Sequence, residues 1–98
     1  MQTEQLIQAD AFCVSHNIEF SFIHALHENG LIEITTREEK IFIPESNLEL
    51  TEKLIRLHND LHINLEGVEV VTYLLEQLKQ QQHEITLLQN KLRFYEVE

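Results

Sequence analysis

No lysine or arginine occurs before Arg37, so the first third of the chain carries no fixed positive charge. Over all 98 residues, 17 Asp and Glu stand against 7 Lys and Arg, a formal net charge of −10 with the histidines neutral. Affinity for nucleic acid comes largely from cations that neutralise phosphates, so this balance argues against DNA, RNA and anionic membranes. It suits a basic protein partner or plain solubility. Cysteine is nearly absent too. Cys13 stands alone, which excludes an internal disulfide, and its apolar helical position reads as a core thiol rather than a nucleophile. With only two glycines, Gly30 and Gly67, there is no glycine-rich loop to cradle a phosphate. No apolar run approaches the length of a membrane span, and MQTEQLIQAD has neither the basic start nor the apolar core of a signal peptide. The expectation is a cytoplasmic protein.

Within ADAFCVSHNIEFSFIHALHENGLIEI, Ala9, Phe12 and Cys13 form one face of a short helix, and Ile23 and Leu26 one face of a second. His16 and Asn17 leave room for a tight turn between them. Asn29-Gly30 ends the second helix, about Glu19 to Glu28, because glycine tolerates the left-handed conformation of a helix end. Helix, short turn and helix is the helix-turn-helix unit, whose second helix ordinarily enters a DNA major groove. Here that helix carries Glu19 and Glu28 at its ends and His24 and His27 between, a reading helix without the charge that reading DNA requires.

A short strand is expected within residues 3–8, ahead of this unit. After it, Ile32 and Ile34 alternate, as do Ile41 and Ile43, around a polar turn from Thr36 to Glu39. This predicts a two-stranded wing over 31–44, closed by Pro44. A third helix is expected over 46–62, with Ser46-Asn47-Leu48-Glu49 as a capping box and Leu50, Leu54, Leu57 and Leu61 as its core stripe. Glu49 with Lys53 and Glu52 with Arg56 have the spacing of solvent-side ion pairs. Residues 1–63 thus form a winged helix-turn-helix domain.

Asn64 caps a last helix, and residues 64–98 form the second unit. From Leu65 to Glu96 there is no proline and one glycine, in the first turn. At about 1.5 Å per residue this helix is close to 48 Å long, too long to pack entirely on so small a core. Val71, Leu74, Leu78, Gln81, Ile85, Leu88, Leu92 and Tyr95 step by threes and fours, the a and d positions of heptads. The stripe is expected to dock on its own domain up to about Leu78 and to pair beyond that with a second copy, antiparallel. In a register centred on His83, Gln81 meets Ile85, Leu78 meets Leu88, Leu74 meets Leu92 and Val71 meets Tyr95.

The histidines raise the question of a metal. His58 and His62 lie one turn apart, as do His24 and His27, but no HExxH or CxxC pattern supplies further ligands, and surface histidines are the better reading. No nucleophile motif is present, so neither an enzyme nor a cofactor is expected. The carboxylates read as a solvated or partner-facing surface.

In this order (AFCVSHNIEFSFIHALHENGLIE, then KLIRLHNDLHINLEGVEVV, then LLQNKLRFYE) the chain resembles the MerR class of winged helix-turn-helix regulators. Within that class it looks like the chaperone modulatory proteins of the CbpM type. The resemblance implies a mainly α, MerR-like fold with a small β-wing, dimerised through an antiparallel coiled coil. It also implies binding to the J-domain of a DnaJ-like co-chaperone, CbpA, which keeps that domain from engaging Hsp70. MerR regulators keep basic residues in the reading helix and wing, whereas this chain has His24 where an arginine commonly sits, and Glu38 and Glu39 in the wing. The partner surface is therefore expected on Glu19, His24, His27, Glu28, Glu33, Glu38 and Glu39, with Leu87 and Phe94 on the helix flank as the apolar alternative. A MerR-like transcription regulator that binds DNA as a dimer is the second reading.

Overall fold

The computed structural model describes residues 4–96. Its elements run β1 (Leu6–Gln8), α1 (Ala9–His16), α2 (Phe20–Glu28), β2 (Thr35–Arg37), β3 (Lys40–Pro44), α3 (Leu48–Asn59) and α4 (Leu65–Glu96). The fold is mainly α with a small sheet. The strand expected within 3–8 is β1; its first expected residue, Thr3, lies outside the described residues, as do 97 and 98.

The helix-turn-helix forms because both helices end on a residue that accepts a positive φ. At the end of α1, Asn17 adopts φ 52°, and the Asn17 and Ile18 amides donate to the Val14 and Cys13 carbonyls. At the end of α2, Gly30 adopts φ 74°, and the Gly30 and Leu31 amides donate to the His27 and Leu26 carbonyls. Both are Schellman closures, which satisfy otherwise orphaned carbonyls and turn the chain sharply. Asn59 of α3 secures the first of them, its Nδ2 donating to the carbonyls of Asn17 at 3.2 Å and His16 at 3.4 Å.

The wing differs from its expected form. The sheet has three strands in the order β1-β3-β2, all antiparallel, because β1 pairs with β3 on the edge away from the hairpin. Ile7 lies opposite Ile43, while Thr36 lies opposite Ile41 and Arg37 opposite Lys40. The turn is only Glu38-Glu39, with φ 51° and 64°, the doubly positive geometry of a two-residue type I′ hairpin. Thr36 and Arg37 are therefore strand, and Ile32 and Ile34 fall in the linker before it. That linker is held by side chains instead of a ladder: Asn47 Oδ1 accepts the Glu33 amide at 2.9 Å. Ile32 is buried all the same.

The third helix also departs from expectation. Glu45–Asn47 form one 3-10 turn and α3 begins at Leu48, ending at Asn59 rather than 62. No capping box forms at Ser46, since no side chain caps the start of α3 and Asn47 is drawn off to Glu33. The buried face is Thr51, Leu54 and Ile55, with Leu50 and Leu61 exposed. A stripe counted on leucines alone misses Thr51. Its polarity disguises a core position, where the hydroxyl donates to the Asn47 carbonyl at 2.6 Å and so is buried without an unmet hydrogen bond. Leu61 lies past the end of the helix. Neither Glu49–Lys53 nor Glu52–Arg56 closes to an ion pair among the described residues; Glu52 faces His16 Nε2 at 3.6 Å instead.

The core gathers Ala9, Phe12 and Cys13 of α1, Ile23 and Leu26 of α2, Ile32, Ile43, Leu54 and Ile55, and Val68 of α4. Asn64 caps α4 as expected, its Oδ1 accepting the Gly67 amide at 2.8 Å. The helix leaves its domain sooner than the stripe predicts. Val71 and Thr72 are half-buried, but Leu74 and Leu78 are already exposed. The radius of gyration, 18.1 Å, compares with about 13 Å for a compact chain of this length, because most of α4 projects into solvent.

Candidate protein-interaction surface

The residues expected to meet a partner lie on α2, the linker and the wing tip, and all seven are exposed. Glu19 precedes the first turn of α2, where a carboxylate suits the partial positive charge of a helix N-terminus. It makes no capping bond, and Ser21 Oγ donates to its Oε2 at 3.4 Å. Glu28 closes the same helix at its unfavourable, C-terminal end. There His24 Nε2 lies 3.1 Å from Glu28 Oε1, one turn back on the same face. These two form a local pair. His27 is partly spent on the fold: its Nδ1–H donates to the Ile32 carbonyl at 3.3 Å and steadies the linker.

Glu38 and Glu39 occupy the two turn positions of the hairpin and project from its tip. Arg37 and Lys40, directly opposed across the strands, flank them. The wing tip is therefore mixed in charge, whereas the surface from Ile18 to Ile34 holds Glu19, Glu28 and Glu33 and no cation. The seven residues do not converge on a pocket. That arrangement suits another macromolecule rather than a small ligand.

Beside that surface runs an open cleft of about 840 Å³ between α1, α2 and α3. Its walls include Val14, Ile18, Phe22 and Ala25, with Glu19 and Ser21 at the rim. Of the expected contact residues only Glu19 borders it. Val14, 84% exposed, is the residue the sequence reading missed; the signal was an apolar side chain standing off the buried face of α1.

Other chemistry recedes in the structure. His58 stacks on Phe22 with ring centroids 4.3 Å apart, and its Nδ1–H donates to the Ile63 carbonyl at 2.8 Å. That roots His58 in the fold. Among the described residues no three His, Cys, Asp or Glu side chains are grouped to hold a metal ion. Cys13 is buried, and burial, then the nearby Asp10 carboxylate, pushes its thiol pKa up, so it stays protonated. Among the described residues no helix is long and apolar enough to cross a membrane.

The stripe expected to pair with a second copy stands clear of the rest of the fold. Leu74, Leu78, Ile85, Leu88, Leu92 and Tyr95 are all exposed, and Gln81 with them; only Val71 is half-covered. Leu87 and Phe94, off the stripe, are exposed as well.

Two helices joined at an αL asparagine, a β-hairpin wing and a long projecting helix define a winged helix-turn-helix protein. The family described as MerR HTH family regulatory protein matches residues 7–90, and the chain belongs to it. The match takes in the headpiece and most of α4. No curated protein matches the chain, and no solved structure does.

Proposed function

We propose that this MerR-family protein is a dimeric modulator that binds the J-domain of a DnaJ/CbpA-like co-chaperone and prevents it from engaging Hsp70. The observation that carries this reading is the electrostatics of α2. The helix that reads DNA elsewhere in this architecture has a glutamate at each end here and neither Lys nor Arg between them. J-domains present a basic helix to Hsp70, as the likeness to CbpM-type modulators implies. A competing acidic face is the physical complement of such a helix. The cleft next to Glu19, with Val14, Ile18, Phe22 and Ala25 among its polar neighbours, offers that helix a place to bury side chains, which charge alone does not provide.

Calorimetry against an isolated J-domain tests the reading. Binding is expected to weaken as salt rises, since exposed charges are screened over about 8 Å at physiological ionic strength. The double variant Glu19→Lys plus Glu28→Lys is expected to lose at least about tenfold in affinity, about 1.4 kcal/mol. Affinity indifferent to both salt and charge reversal would move the site elsewhere, to the exposed Leu87 and Phe94 of α4. Absence of binding would remove the co-chaperone reading.

DNA binding is the second reading, and Arg37 with Lys40 on the wing is the observation in its favour. These are the two cations the architecture brings beside the helix-turn-helix, and wings of this kind can reach a phosphate backbone.

A further inference from the structure

The cleft beside Glu19 does not end at the α1–α2 turn. A second cleft, about 770 Å³, adjoins it and shares the walls formed by Asn17, His58 and Asn59. His16, Asp60, His62 and Asn64 line the remainder, from the ends of α1 and α3 and the segment that leads into α4. The two clefts make one trough across the headpiece. Its shared middle is built by the fold itself. Asn59 ties α3 to the helix-turn-helix there by donating to the His16 and Asn17 carbonyls, and His58 is fixed by its stack on Phe22 and its bond to the Ile63 carbonyl.

The two halves differ in chemistry. The first carries Val14, Ile18, Phe22 and Ala25, and Val14, 84% exposed, is a large apolar side chain that gains nothing where it stands. Every side chain lining the second half is polar. Each half has one carboxylate, Glu19 in the first and Asp60 in the second, and no Lys or Arg lines either. Among the described residues neither Glu19 nor Asp60 is in an ion pair. Two unspent carboxylates beside an exposed apolar wall complement a basic amphipathic segment and repel an acidic one.

We propose that the whole trough is the docking site of one basic amphipathic helix of a partner protein. A large apolar side chain of that helix packs on Val14, Ile18, Phe22 and Ala25, and a lysine or arginine three or four residues away reaches Asp60. That spacing sets both side chains on one face, as in a helix seated in a groove. Glu19, on the rim of the first half, meets a further cation. This rests on the reading that the partner presents a basic helix, and it adds the polar second half and the pattern of side chains that the helix must offer.

Val14 and Asp60 are the probes, because both are exposed and neither belongs to the core. Val14→Ser and Asp60→Asn are each expected to leave the circular dichroism spectrum unchanged. Each is expected to weaken binding of the isolated J-domain about fivefold in calorimetry at low salt. At high salt the two part: the Val14→Ser loss persists, while the Asp60→Asn loss fades as the charge is screened. A J-domain that binds the wild-type chain but ignores both substitutions overturns the trough and leaves the modulator reading to the rest of α2. A loss with Val14→Ser alone overturns it too, by confining the site to the first cleft. Substitutions that loosen the chain's own self-association in sedimentation equilibrium give the trough to a second copy and overturn the proposal. A J-domain that does not bind the wild-type chain removes the modulator reading and the trough together.

Discussion

Asn17 and Gly30 do the same work at the ends of α1 and α2, and they differ in what they tolerate. Each takes a positive φ so that its own amide and the next one can cap the helix behind it. Asparagine is one of the few residues with a side chain that visits this region readily, and Asn59 holds the Asn17 turn from outside. At Gly30 an added Cβ would meet nothing within 4 Å, so the cost of a side chain there is purely conformational. Gly30→Ala is therefore expected to destabilise the fold by about 1 kcal/mol without changing the core, and a urea titration should show a lower midpoint with an unchanged slope. An unchanged midpoint would mean that the α2 closure adds nothing to stability. Glu38 and Glu39 take the same backbone region without glycine's freedom. The wing tip thus holds its two carboxylates at some conformational cost.

Among the elements, α4 has the most to decide. It is one uninterrupted helix of 32 residues, and its hydrophobic stripe outruns the domain that could cover it. An isolated helix exposing such a stripe to water is poorly stabilised, whereas antiparallel pairing would bury it, with Gln81 near the axis to set register. In the antiparallel register, Leu88→Asp would put a carboxylate against Leu78, where burial penalises its charge. The variant is expected to sediment as a monomer in analytical ultracentrifugation with its headpiece intact. A dimer that survives Leu88→Asp would place the interface off this stripe. The contrast between α3 and α4 is instructive. In α3 the core reads Thr51, Leu54 and Ile55, so periodicity counted on leucines alone is off by one position at its start. In α4 nothing competes with the heptads, and their span from Val71 to Tyr95 matches the projecting helix.

For the molecule as a whole, charge and architecture point in different directions. The family is one of helix-turn-helix regulatory proteins, a unit whose second helix ordinarily enters a DNA groove, yet the chain carries a formal −10. Neutralising phosphates supplies most of the affinity of a duplex-binding domain, and Arg37 and Lys40 are a small allotment against the carboxylates around them. Gel shifts at low salt, the condition most generous to electrostatic attraction, are expected to show no specific complex. A nanomolar shift with a defined operator would establish transcriptional regulation as the function instead.

The sequence alone determined the order of elements, because its signals are local. Asn29-Gly30 marks a helix end, Asn64 a cap, Ile41 and Ile43 a strand of the wing and unbroken heptads a long helix. The same locality made the charge on α2 legible before any fold was known. What it could not contain were decisions made between distant segments. That β1 joins β3 across 36 residues, that Asn47 gives up capping α3 to hold the Glu33 amide, and that His27 turns to Ile32 are such decisions. So is the place where α4 leaves the core. Each depends on which backbone groups and apolar faces come within reach after the helices have packed, and that is settled by the three-dimensional competition for hydrogen bonds and burial.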